Sequence, residues 1–190
     1  MTICIIGGGS LGHVCAGVFA SKGTKVNIFS QHPEAWGKEI LVTDINGKPY
    51  IGHIDKISSN PGDVIPNADM VFMCLPGFLI EQSLESIKPH LSPNTVVGSI
   101  VSSTGFFFCA HKILPSKTPL FGFQRTPFIA RVSEYGKSAN LLGYKNEVAI
   151  ACENIDNAEL FRAQIEKLFI TPTKLLDSFY EASLTNSNPI

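Results

Sequence analysis

The sequence predicts an α/β domain built on a doubly wound, mostly parallel β-sheet, with one inserted β-hairpin. Three observations carry that expectation. Short apolar runs rich in Val and Ile recur along the chain, bounded by Gly, Pro or Asn, without the alternation of half-exposed strands. Stretches with one-sided apolar stripes at helical spacing separate them. A glycine cluster joins the first apolar run to the first helical stretch. The composition supplies a core: 44% of the 190 residues are hydrophobic and 16% charged, which excludes intrinsic disorder. The net charge of −1 leaves no basic field for a nucleic-acid backbone or an anionic membrane. Five scattered cysteines without a Cys-x-x-Cys pair read as reduced core thiols, so neither a disulfide framework nor a metal site is expected, and the chain reads as cytoplasmic.

The elements follow in order. Thr2–Ile6 is the first strand, and Ile6-Gly7-Gly8-Gly9-Ser10-Leu11-Gly12 is the turn after it. Gly7, Gly9 and Gly12 fit G-x-G-x-x-G. Gly7 suits the tight turn, Gly9 a close backbone approach to a diphosphate, and Gly12 close packing of helix on strand. The helix opening there aims free N–H groups and a partial positive charge at the phosphates, where Ser10 and Leu11 sit. The strand–turn–helix context makes this a Rossmann-like dinucleotide site rather than a plain glycine turn. Residues 10–22 form the helix, with Leu11, Val14, Cys15 and Val18 on one face. Lys25–Phe29 is the next strand, and Ser30 and Gln31 at its end are candidates to meet the adenosine ribose, while Gln31 and His32 read equally as a solvated loop. No carboxylate precedes Glu34, which removes the usual partner of a ribose 2′-hydroxyl, and no Arg or Lys replaces it, so the cofactor is NADP or NAD with a lean to NADP.

Residues 39–43 and 49–57 flank Asn46-Gly47, a strong hairpin-turn signal, and form the expected insertion. Strands follow at 70–75, 95–101, Leu120–Phe123 and 148–152, with helices at 79–90 and Ala158–Phe169. Leu75 and Pro76 end a strand on the crevice rim, where they either touch the cofactor or merely stop the strand; Ser102 lies on the same rim. The uncharged stretch 89–111 is too broken by Pro, Asn, Ser and Gly to cross a membrane. Within it, Phe106-Phe107-Phe108 is read as a core strand or a docking patch. Asp156 with Glu159 three residues on resembles a helix-start capping box. Cys109, Gln124 and Arg125 are candidate substrate contacts, with Arg125 placed nearer the crevice than Arg131. None of the five histidines is framed as a proton donor, so the catalytic residues are unknown.

At this point the chain resembles the cofactor domain of opine dehydrogenases of the octopine and nopaline type, related to ketopantoate and glycerol-3-phosphate oxidoreductases. The residues that carry the resemblance are Gly7 to Gly12, Leu75-Pro76, Gly105-Phe106-Phe107-Phe108, Thr126-Pro127-Phe128-Ile129-Ala130-Arg131-Val132-Ser133-Glu134-Tyr135-Gly136-Lys137 and Leu142-Gly143-Tyr144-Lys145. The resemblance implies an NAD(P)H-dependent reductive condensation of an amino acid with a 2-keto acid. It also implies that residues 1–183 are the cofactor domain and that 184–190 begin a linker toward a helical substrate domain carrying the catalytic His. Cys109 stands where octopine-type enzymes carry a polar, substrate-facing residue. The alternatives are a free-standing NAD(P)-binding sensor or docking module, and a ketopantoate-reductase-like oxidoreductase. A homodimer is a further expectation.

Overall fold

The structure, a computed structural model, describes residues 1–184. Twelve strands and six α-helices run along these residues, joined by turns and single 3-10 turns. β1 (Thr2–Ile6) leads into α1 (Ser10–Ser21), and β2 (Lys25–Phe29) returns beside it. β3 (Glu39–Asp44) and β4 (Pro49–His53) form a hairpin; β5 (Lys56–Ser58) and the short α2 (Pro61–Val64) follow. β6 (Met70–Met73), α3 (Ile80–Ile87), β7 (Val96–Ser99), α4 (Phe106–Ile113) and β8 (Leu120–Phe123) extend the main sheet. β9 (Phe128–Glu134) and β10 (Ser138–Tyr144) make a second hairpin. β11 (Val148–Glu153), α5 (Ala158–Phe169), β12 (Thr173–Leu175) and α6 (Phe179–Leu184) complete the described chain.

The main sheet has eight strands in the order β12-β11-β8-β7-β6-β1-β2-β5. Every pairing in it is parallel except β8 with β11. β1 is the switch point: β2 lies on one side of it and β6 on the other. Ile3, Cys4, Ile5 and Ile6 are all buried, because elements cover both faces of this strand. A ligand crevice is therefore expected outside the carboxyl ends of β1 and β6.

The inserted hairpin is half of something larger. A separate four-stranded sheet runs β4-β3-β10-β9, and β10 lies parallel to β3 in the register Leu41 to Ser138 and Val42 to Ala139. This sheet packs on α1, where a side chain at Gly17 would collide with Val42. The second arm, expected to reach residue 57, ends at His53. Beyond it the Asp55 amide donates to Val26 O at 2.9 Å, and β5 pairs with β2 in the main sheet.

Three other expectations change. Phe106-Phe107-Phe108 opens a helix, not a strand, with Phe106, Phe107, Ala110 and Ile113 turned inward; an apolar run this short carries no periodicity of its own. The first turn of α5 is capped by Asn157, whose side chain accepts from the Leu160 amide at 2.8 Å; Asp156 is not the cap. The helix expected at 79–90 is α-helical only over Ile80–Ile87, with a 3-10 turn on each side, the second containing Pro89. Stretch 89–111 is divided among β7, α4 and the turns around them, and no helix of the described residues is long and apolar enough to cross a membrane.

Candidate functional site

The glycine turn closes over the end of β6. Gly7 has φ +113°, and a Cβ there would lie 2.6 Å from the Cys74 carbonyl oxygen, so the fold itself demands glycine. Gly12 is equally constrained, since its Cβ would strike the Gly7 carbonyl oxygen. Gly9 differs: its Cβ would meet nothing within 4 Å. Gly9 caps α1 without a side-chain hydrogen bond, and the first turn of the helix holds no acidic residue. The backbone N–H groups and positive dipole end of α1 thus face open space beside a residue without a side chain, which is the arrangement a phosphate requires.

Two cavities flank this turn, and Leu75 lines both. The first, of about 450 Å³, is bordered by Gly7, Gly8, Ser30, Gln31, His32 and Tyr135. Ser30 is buried, and its Oγ accepts from the His32 amide at 3.2 Å and from Trp36 Nε1 at 3.1 Å, which shapes the loop after β2. Gln31 and His32 stand exposed on the rim, with His32 Nδ1 3.4 Å from Glu34. No Lys or Arg lines this cavity. The second cavity, of about 470 Å³, is bordered by Gly9, Ser10, Leu11, Pro76, Val101 and Arg131.

The structure thus brings Gly7, Ser30, Gln31 and Leu75 to one cavity, and Gly9, Ser10, Leu11, Leu75 and Pro76 to the other. Gly12 lies under the turn. Ser102 is fully buried with its hydroxyl donating to Phe123 O at 2.8 Å, and its neighbour Val101 does the lining instead. Cys109 sits on α4, half-buried against the core beneath that helix. The Gln124 amide donates to Ala149 O at 2.9 Å, and Arg125 is exposed; neither borders either of these two cavities. Of the two arginines, Arg131 is the one on the crevice, because β9 runs back past the glycine turn after residues 124–127 have led the chain away from β8.

The β9–β10 hairpin is the part the sequence reading missed as structure, although Phe128 to Glu134 alternates inward and outward residues ahead of the turn at Tyr135-Gly136. It is tied directly to the glycine turn and α1. The Val132 amide donates to Ser10 Oγ at 3.1 Å, and the Gly136 amide donates to His13 Nε2 at 2.7 Å. The Tyr135 hydroxyl lies over Gly8, leaving no room for a Cβ there. His13 is buried, stacks on Trp36 at 4.1 Å between ring centroids, and meets Tyr135 edge-on at 5.1 Å. Its Nδ1 donates to Gly9 O at 3.0 Å; since a backbone amide only donates, Nε2 accepts and the ring is neutral. Burial holds its pKa below the ordinary value.

Three of the five thiols are held as inert core thiols by the same logic. Burial pushes the Cys4 and Cys152 thiols up to about 12, and raises that of Cys15, which hydrogen-bonds Cys74 beneath the second cavity. Among the described residues, no group of three or more His, Cys, Asp or Glu side chains is placed to hold a metal ion.

Comparisons with known proteins fit this geometry. A family model described as ketopantoate reductase PanE/ApbA matches residues 3–105. The chain is 27% identical over 164 residues to the opine dehydrogenase of Haliotis discus hannai, covering 76% of this chain and 40% of that protein. It is 26% identical over 170 residues to the octopine dehydrogenase of Mizuhopecten yessoensis, covering 78% and 41%. The chain therefore spans about two-fifths of the length of these curated relatives. A structure of octopine dehydrogenase in complex with NADH and agmatine superposes with a TM-score of 0.86 at 23% identity, over 98% of this chain and 51% of that one. A PanE/ApbA family ketopantoate reductase from Ralstonia eutropha JMP134 gives 0.72 at 19% identity, over 96% and 59%. These superpositions establish the Rossmann-like fold. Residues 3–105 are more than half of the chain and contain β1, the glycine turn and both strands beside β1, so the chain belongs to the ketopantoate reductase PanE/ApbA family.

Proposed function

We propose that the chain is the dinucleotide-binding part of an NAD(P)-dependent oxidoreductase of opine-dehydrogenase type, which condenses an amino acid with a 2-keto acid reductively. The observation that carries this reading is the open space at Gly9, beside an uncapped helix N-terminus and between two cavities. The amides of Ser10 and Leu11 would hold the diphosphate. Ser30 and Gln31 would border the adenosine ribose, and Leu75, Pro76 and Val101 the nicotinamide side. A bound nicotinamide supplies the hydride; this chain orients it and keeps water from the apolar second cavity.

The lean to NADP rests on the first cavity, where Gln31 and His32 stand in place of a carboxylate and no acidic side chain lines the wall to repel a 2′-phosphate. Relatives of this fold include an NADH complex of octopine dehydrogenase and an NADP+ complex of yersinopine dehydrogenase. Fluorescence titration with NADPH and NADH tests both levels. Tighter NADPH binding is expected; equal or inverted affinities remove the preference, and no binding of either at submillimolar concentration removes the cofactor reading.

The family match favours a second reading, a ketopantoate-reductase-like reduction of a keto acid to a hydroxy acid. NADPH oxidation with a 2-keto acid, measured with and without an amino acid, separates the two: dependence on the amine supports the opine type. Residues 1–183 are proposed as the cofactor domain; the linker expected at 184–190 lies, apart from Leu184 at the end of α6, outside the described residues. A homodimer is proposed through the face where Phe108 and Tyr180 are exposed, and a 20.6 kDa species in sedimentation at high concentration would remove it.

A further inference from the structure

We infer that Arg131 is the anion-recognition residue of the second cavity and holds the carboxylate of the 2-keto acid, an inference that rests on the oxidoreductase reading above. Arg131 is the one charged residue on that cavity, and its walls are otherwise apolar apart from Ser10, Thr126 and the Cys74 thiol. No carboxylate of the described residues pairs with it. Its Nη1 donates to the neighbouring Ala130 carbonyl at 3.1 Å, which steadies one end of a five-donor fork. A guanidinium beside an apolar slot is matched by a planar, bidentate anion, and a carboxylate leaving water there pairs with it more strongly than on an open surface.

The placement selects the substrate carboxylate rather than the dinucleotide diphosphate. The diphosphate is already answered by the amides and dipole of α1 at Gly9. Arg131 instead shares its cavity with Pro76 and Val101, which follow the carboxyl ends of β6 and β7, on the far side of Leu75 from Ser30 and Gln31. Its position is rigid relative to the glycine turn, because the next residue, Val132, donates its amide to Ser10 Oγ at 3.1 Å, and β9 is paired with β10 at Arg131 and Asn140. Arg125 borders neither of these two cavities.

The test uses the chain saturated with NADPH, titrated with pyruvate and with its neutral amide, pyruvamide, and read by NADPH fluorescence. Wild type is expected to bind pyruvate more tightly than pyruvamide. Arg131→Met is expected to lose that preference through a pyruvate affinity about tenfold or more weaker, with NADPH affinity and melting temperature unchanged, and Arg131→Lys to retain part of it. Unchanged pyruvate affinity in Arg131→Met, or no pyruvate binding by a wild type that binds NADPH, overturns the inference and leaves the cofactor reading standing. A parallel fall in NADPH affinity overturns it in favour of a diphosphate contact. Failure of wild type to bind NADPH overturns both readings.

Discussion

At the scale of single residues, His13 and the glycines have separable duties. The neutral His13 ring bridges Gly9 O and the Gly136 amide, and a proton on Nε2 would set two donors against each other. Because burial depresses its folded-state pKa below the ordinary 6.5, the unfolded chain takes up the proton first as pH falls. The His13 contribution is therefore full above the unfolded value and declines below it, down to the folded value. Urea midpoints measured across this range should fall for wild type and change less for His13→Phe, which keeps an aromatic ring on Trp36 but costs about 1–3 kcal/mol above that range by orphaning the Gly136 amide, a gap that narrows as pH falls. Gly9 and Gly12 should behave oppositely. Gly9 has φ −81°, which alanine adopts freely, so Gly9→Ala should hold or raise stability by about 0.4–1 kcal/mol while weakening dinucleotide binding. Gly12→Ala should destabilise the fold itself, because its Cβ meets backbone that cannot yield. Thermal melts beside NADPH titrations distinguish the two.

Elements act through their ends and ties. α5 begins at Asn157, so Asn157→Ala should cost about 0.5–2 kcal/mol and Asp156→Ala within about 0.5 kcal/mol, compared by denaturant unfolding; the reverse order would restore the capping-box reading. The β9–β10 hairpin stands against the phosphate turn through Ser10, His13 and Tyr135, so the wall of the candidate crevice and the loop that would receive the diphosphate are mechanically one unit. Ser10→Ala removes the acceptor of the Val132 amide, and hydrogen exchange at Val132 should accelerate while amides in the centre of β1 remain protected.

Across the whole molecule, two sheets share one aromatic core. Phe169, at the end of α5, packs against Phe19 of α1, Phe72 of β6, Phe123 of β8 and Phe128 of β9, with centroid separations from 4.7 to 5.9 Å. It thereby ties α1 and α5, which share one face of the main sheet, to strands of both sheets. Phe169→Ala should cost about 3–5 kcal/mol in chemical unfolding, and a smaller loss would mean the cavity collapses onto neighbouring rings. The same coupling explains why the crevice is formed by segments from distant parts of the chain: β1, β6, β7 and β9 all end or pass at one rim.

The strand–turn–helix at the amino end, the parallel strands and α5 were legible in the residues alone. Gly7 to Gly12, the Val and Ile runs and the stripe of Phe161, Ile165 and Leu168 each act over one or two turns of backbone, so adjacent letters contain the constraint. The opening of α4 was not legible, since a run of three phenylalanines is too short to distinguish a helical from an extended period. Nor was the pairing of β3 with β10, which are far apart in the chain and joined only because both cover α1. Arg131 rather than Arg125 reaches the crevice for the same reason: its position depends on where β9 docks, and docking is decided by packing among elements that the local sequence does not describe.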